Sequence, residues 1–175
     1  MRLLCIIKIS GALYNNMKIT FVTVGKLKEK HIKAAVDEYA KRLSKYVKFN
    51  IIEVADEPTR EKISDAEAQI ILRQEGERIL KCIKESGYVI ATAISGVQMG
   101  SEEFARKITK LSVDGHSHIY FIIGGSLGLC PKIIEKSDFL LSFSKMTFPH
   151  QLMRVILAEQ IYRAFRINSG EPYHK

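Results

Sequence analysis

Apolar positions along the chain change period several times, and each change marks an element. Lys18–Gly25 (KITFVTVG) is a run of β-branched and aromatic residues closed by a glycine, which predicts a strand. From Glu29 to Val47 the residues Ile32, Ala35, Val36, Tyr39, Leu43, Tyr46 and Val47 recur at helical spacing, with lysines opposite. Phe49–Val54 predicts a second strand, and residues 55–63 a polar loop. Ser64 followed by Glu67 is a capping-box signal for a helix to about Glu85. Tyr88–Ile94 predicts a third strand with a turn at Ser95-Gly96, and Ser101 opens a short helix to about Val113. His118–Ile123 predicts a fourth strand, Pro131 opens a helix of one or two turns, and Phe139–Phe143 predicts a fifth strand. The last element differs in kind. Gln151–Ile167 is apolar almost all round, through Leu152, Val155, Ile156, Ile161, Tyr162, Phe165 and Ile167. Such a helix is buried or shared with a partner chain. Pro149 suits its first turn, where a missing N–H costs nothing.

Strands alternating with helices, and strands this apolar, predict an α/β fold: a mostly parallel sheet with helices on both faces. The loops after the third, fourth and fifth strands then gather at one end of the sheet. They carry Ile94-Ser95-Gly96, Gly124-Gly125-Ser126 and Ser144 to Phe148. Ligands of open α/β sheets sit beyond the carboxyl ends of the strands. The chemistry is therefore expected in the loop joining the fifth strand to the last helix, where Ser144, Lys145, Thr147 and His150 stand over a buried core. The glycines at 124, 125 and 128 lack the G-x-G-x-x-G spacing and follow the fourth strand, which excludes a dinucleotide fingerprint. They suit a tight turn needing positive φ, or close backbone approach to a flat ligand such as adenosine. His150 and Arg154 lie four apart and share a helix face near an N-terminus, where anions are favoured. Arg154 there either holds a phosphate or a developing anion, or makes a structural ion pair.

Composition narrows the class. At 175 residues, 46% hydrophobic and 26% charged, the chain suits one globular domain. It has no apolar run long enough to span a bilayer. The formal charge of +8 is uneven: Lys18–Lys48 carries nine Lys/Arg against three acids, and Lys145–Lys175 five against two, while residues 49–144 are slightly acidic. Two basic ends that meet would suit a polyanion, RNA first; apart, they are solvated lysine faces. Cys5, Cys82 and Cys130 stand far apart with no CxxC spacing, and His116 and His118 have no ligand cluster around them. Neither a disulfide framework nor a metal site is expected, and a reducing cytoplasm fits best. Residues 1–16 (MRLLCIIKISGALYNN) lack the uninterrupted apolar run and cleavage site of a signal peptide. They are read as an N-terminal extension outside the core, with residues 17–175 as the single domain, so a chain beginning at Met17 is expected to fold and act alike. The tail pairs an aromatic with basic groups in Tyr173-His174-Lys175, a combination suited to stacking on a base.

Several of these stretches, taken together, resemble a known family. They are Lys18-Ile19-Thr20 through Lys28, Ile123-Gly124-Gly125-Ser126 with Gly128, Leu141 to His150, Met153-Arg154-Val155, Glu159 to Phe165, and the terminal Tyr173-His174-Lys175. Over residues 17–175 the chain resembles the SPOUT-class ribosomal RNA large-subunit (23S) methyltransferases, which modify a pseudouridine at its ring N3. The resemblance implies a trefoil knot at the carboxyl end, a homodimer, and S-adenosylmethionine held by Thr92, Gly124, Phe143, Ser144, Lys145, Met146, Thr147 and Phe148. At position 92 the family often has leucine. It also implies methylation of ribosomal RNA on the assembled ribosome. Arg154 is the first candidate to stabilise the developing anion, His150 or His174 to take the proton, and Tyr173 to help close the tail over the base. Two other readings fit the same fold: a catalytically silent RNA-binding or ribosome-assembly protein, and a transfer-RNA methyltransferase.

Overall fold

A computed structural model of the chain describes residues 14, 16–60 and 62–172. From Lys18 onward, among the described residues, five strands and five helices alternate: β1 (Lys18–Val24), α1 (Lys30–Leu43), β2 (Lys48–Val54), α2 (Asp65–Cys82), β3 (Tyr88–Gln98), α3 (Ser101–Val113), β4 (His118–Ile123), α4 (Pro131–Lys136), β5 (Phe139–Ser142) and α5 (His150–Asn168). Every strand pairing is parallel, in the order β2-β1-β4-β3-β5. Parallel strands need covered faces, and alternation along each strand supplies two. Ile19, Phe21, Ile90, Ile119 and Phe121 point to one face, where they meet α1, α3 and α5. Val22, Val24, Val89, Ala91, Tyr120 and Ile122 point to the other, under Ile79 of α2 and Ile133 of α4.

Local signals set the helix starts. Ser64 Oγ accepts from the Glu67 N–H at 3.3 Å while Glu67 Oε2 accepts from the Ser64 N–H at 2.8 Å, the reciprocal cap read from the sequence. Pro131 occupies the first turn of α4. Pro149 does not enter α5 but caps it, with φ −54° and ψ 128°.

One strand boundary changes. The third strand does not stop at Ile94. It runs through an irregularity between Thr92 and Val97 and pairs again with Leu141 and Ser142 of β5, so Ser95-Gly96 lies in a bulge and not in a terminal turn. The apolar girth of α5 is largely absorbed within the chain, the first of its two readings. Leu157, Ala158, Ile161 and Phe165 are fully buried between α1 and α3, and Leu152, at 40% exposed, is the most open apolar side chain of the helix. One domain therefore covers Ile161 without a partner.

The extension lies mostly outside the described residues. Its one described aromatic, Tyr14, is 3% exposed. The ring meets Phe165 edge-on at 5.0 Å, and the hydroxyl is 2.8 Å from Thr109 Oγ1. Tyr14 is thus a core residue, against the expectation that nothing before Met17 is. Its apolar ring and single hydroxyl find a matched slot between α3 and α5.

Candidate active site

The carboxyl ends of β3, β4 and β5 open into a cavity of about 870 Å³. Its walls are Thr92–Ser95, Ile123–Leu129, Ile134, Leu141–Ser144, Met146–Pro149, His150 and Met153. Apolar walls with a few polar groups, at this size, suit a ligand of nucleoside dimensions. Seven of the eight residues assigned to the cofactor line it: Thr92, Gly124, Phe143, Ser144, Met146, Thr147 and Phe148. Lys145 does not; it is exposed beside the cavity.

The wall from β4 is shaped by glycine. Gly128 has φ +87°, and its N–H donates to the Gly125 carbonyl at 3.1 Å, closing a tight turn. Gly124 is glycine for a different reason. A Cβ there would lie 2.3 Å from the Gly128 carbonyl oxygen, so the turn can fold back only over a bare Cα. The wall from β5 is braced by its own serines. Ser142 Oγ donates to the Ser144 carbonyl at 3.1 Å, and Ser144 Oγ accepts from the Met146 N–H at 3.0 Å. Thr92 Oγ1 donates to the Ile122 carbonyl at 3.0 Å. That bond ties its hydroxyl to the sheet and leaves the rest of the residue at the cavity wall.

His150, half-buried at the start of α5, lines the same cavity. Burial pushes its pKa below the ordinary 6.5; Arg154 and Lys28 push the same way, and Asp56 opposes them. The imidazole is therefore neutral near pH 7 and free to accept a proton.

Arg154 is placed elsewhere. It is 0% exposed and does not line the cavity. Its Nη1 donates to Glu53 Oε1 at 2.9 Å, and its Nη2 donates to the Val24 and Gly25 carbonyls at 2.7 and 2.8 Å. Burial pushes its pKa down and Glu53 pulls it back up. The expectation that Arg154 faces the reacting base is corrected: one helical turn carries it past the cavity and against the ends of β1 and β2. Of its two readings, the structural ion pair is the one seen. Tyr173 and His174 lie outside the described residues.

Two acidic residues were missed. Glu53 ends β2 and holds Arg154. Glu75 of α2 is 5% exposed, accepts from the Glu57 N–H at 3.0 Å, and has its carboxyl pushed upward by burial. Its neighbour Glu57 pairs with Arg78. The readable signal for Glu75 was a charge beside Gly76 on the apolar stripe of α2; an acid at a strand end gives none. Among the described residues, no group of three or more His, Cys, Asp or Glu is placed to hold a metal ion, and no helix is long and apolar enough to cross a membrane.

A parallel α/β sheet with a glycine-walled cavity at its carboxyl edge fits an enzyme that binds a nucleoside-bearing cofactor. Residues 17–174 match the family model described as "Predicted SPOUT methyltransferase". The chain belongs to the SPOUT methyltransferase family, and is thus a methyltransferase. Among curated proteins it is 61% identical over 159 residues to the ribosomal RNA large subunit methyltransferase H of Bifidobacterium adolescentis, covering 91% of this chain and 100% of that one. It is 57% identical, with the same coverage, to the protein of that name from Clostridium kluyveri. A looser likeness, TM-score 0.40 at 11% identity, is to the crystal structure of the A. aeolicus TrmH/SpoU tRNA modifying enzyme, over 100% of this chain and 91% of that one.

Proposed function

We propose that the protein transfers a methyl group from S-adenosylmethionine to the ring N3 of a pseudouridine in large-subunit ribosomal RNA, acting in the cytoplasm on the assembled ribosome. The observation that carries this reading is the cavity walled by Gly124 and by the 143–148 loop. Two relatives that match the chain from end to end of their own length, each named a ribosomal RNA large subunit methyltransferase, support it.

The residues present fit the cofactor. The 124–128 turn, folded back over the bare Cα of Gly124, shapes one wall of the cavity, and the cavity volume suits a nucleoside with a short chain. Bound there, S-adenosylmethionine supplies a methyl group made electrophilic by its sulfonium. The residues that would hold it are Thr92, the turn at Gly124, and Phe143, Ser144, Met146, Thr147 and Phe148 of the loop after β5. His150, which lines the same cavity, is the candidate to meet the target base. As a neutral imidazole it accepts the proton of the ring N3–H, directly or through one water. Arg154 serves this site at one remove, by fixing the start of α5. Tyr173 and His174, which lie outside the described residues, are the further candidates to act on the base, His174 as an alternative proton acceptor.

A homodimer and a knotted carboxyl end go with this reading. Three exposed apolar side chains support the dimer: Ile94 at 55%, Met146 at 74% and Phe148 at 40%, all at the cavity rim, where a second copy would cover them.

The test is methyl transfer from labelled S-adenosylmethionine to naked ribosomal RNA, isolated large subunits and whole ribosomes, followed by mapping of the modified nucleoside. Methylated pseudouridine from ribosomes, and little from naked RNA, is expected. Transfer to transfer RNA alone, or cofactor binding with no transfer to any ribosomal substrate, overturns the reading.

A further inference from the structure

The loop between β1 and α1, residues 25–29, is short, basic and held at several backbone points. The Gly25 N–H donates to the Val54 carbonyl at 2.8 Å, and the Gly25 carbonyl accepts from Arg154 Nη2 at 2.8 Å. The Leu27 N–H donates to Glu53 Oε1 at 2.9 Å. That same oxygen accepts from Arg154 Nη1 at 2.9 Å. One carboxylate oxygen at the end of β2 therefore joins the start of α5 to the middle of the basic loop. Lys26 and Lys28 flank Leu27, and both are exposed. Arg154, which holds the Gly25 carbonyl, sits one turn after the cavity-lining His150 on α5, so the loop lies against the start of the helix that borders the cavity.

We propose that Glu53 is a positioning residue for the RNA substrate, presenting Lys28 at the cavity mouth to a phosphate of the strand that carries the target base. The proposal rests on RNA being the substrate and deepens that reading. A lysine on a free loop loses side-chain and backbone entropy when it meets a phosphate. Anchoring Leu27 removes part of that cost before RNA arrives. Tying the anchor to Arg154 holds it in register with His150, which sits one turn earlier on the same helix. A purely structural Glu53 would serve only as counter-charge to a buried guanidinium. That role does not require the bond to Leu27, and it places no demand on Lys28.

The experiment is a double-mutant cycle on the full chain, with Lys28→Ala, Glu53→Gln and the pair. Ribosome affinity is measured over a range of salt, S-adenosylmethionine affinity is measured without RNA, and wild-type methyl transfer is measured alongside. Lys28→Ala should weaken ribosome binding about threefold to tenfold and lower the salt slope by about one, as expected for one lost phosphate contact. Glu53→Gln should weaken ribosome binding by a similar factor, leave cofactor affinity within about twofold, and add nothing further once Lys28 is gone, since coupled residues are non-additive. If Glu53→Gln does not fold, Glu53→Asp is read in the same way. It keeps the counter-charge but is one methylene too short to serve both partners. Additive losses in the pair, or equal losses of cofactor and ribosome binding, overturn the inference while wild-type transfer stands. A wild type with no transfer to ribosomal substrate overturns the reading beneath it as well.

Discussion

Replacing Gly124 by alanine tests the cavity wall directly. The new Cβ would stand 2.3 Å from the Gly128 carbonyl oxygen, 2.6 Å from its carbon and 3.1 Å from Leu129 Cγ, where ordinary contact begins near 3.4 Å. The first two neighbours are backbone and cannot rotate away. The turn closed by the Gly128 N–H must open by roughly 1 Å, an overpacking strain of about 1–3 kcal/mol. Because residues 124–129 are themselves the wall, the distortion falls on the ligand site. Cofactor affinity should drop about tenfold to a hundredfold, or about 1.4–2.7 kcal/mol. Calorimetry with S-adenosylmethionine measures the affinity, and urea unfolding measures the strain. Gly115→Ala is the control. It has φ +89° and nothing within 4 Å of the added carbon, so it carries backbone strain without a clash and lies outside the cavity wall. Its stability should fall by about 1–2 kcal/mol with cofactor affinity unchanged. Wild-type affinity in Gly124→Ala, or an equal loss in both variants, would refute the reasoning.

Three further outcomes follow from named contacts. Arg154→Ala removes three hydrogen bonds and leaves Glu53 Oε1 with the Leu27 N–H, so it should lower stability by about 1.5–3 kcal/mol, read as a fall in the urea midpoint; an unchanged midpoint would show that the ion pair carries no stability. Tyr14→Ala empties a filled slot against Phe165 and should cost about 3 kcal/mol, and a chain beginning at Met17 should lose a similar amount; equal melting points in all three chains would return Tyr14 to a dispensable extension. His118 has its pKa pushed down to about 4, chiefly by burial, with Lys18 and Lys84 adding to it. The unfolded chain therefore takes up this proton first as pH falls. Stability is fully present above pH 6.5 and is lost between 6.5 and about 4, so His118→Gln should flatten the melting temperature across that window. A parallel slope in the variant would count against it.

What the sequence determined by itself is everything that depends on near neighbours. Alternation along Ile19 to Val24 and Ile119 to Ile123 required strands buried on both faces, and five such strands separated by helical patterns required a parallel sheet. The capping box at Ser64 placed the start of α2, and the polar loop after Phe143 marked the site because it stands over an apolar helix. Only the tertiary structure decided which partners distant residues meet. Arg154 and His150 share a helical face in sequence, yet one faces the cavity and the other the ends of β1 and β2, because a turn of helix advances past the rim of the sheet. Glu53 is 101 positions from Arg154 and gives no periodic signal, so its charge could be assigned only once β2 lay beside β1. Ser95-Gly96 read as a turn because local chemistry favours one there, while pairing with Leu141 and Ser142 beyond it carried the strand on. Tyr14 looked dispensable because the residues around it carry no periodic signal, and it became core because α3 and α5 leave a slot shaped for a ring with one hydroxyl.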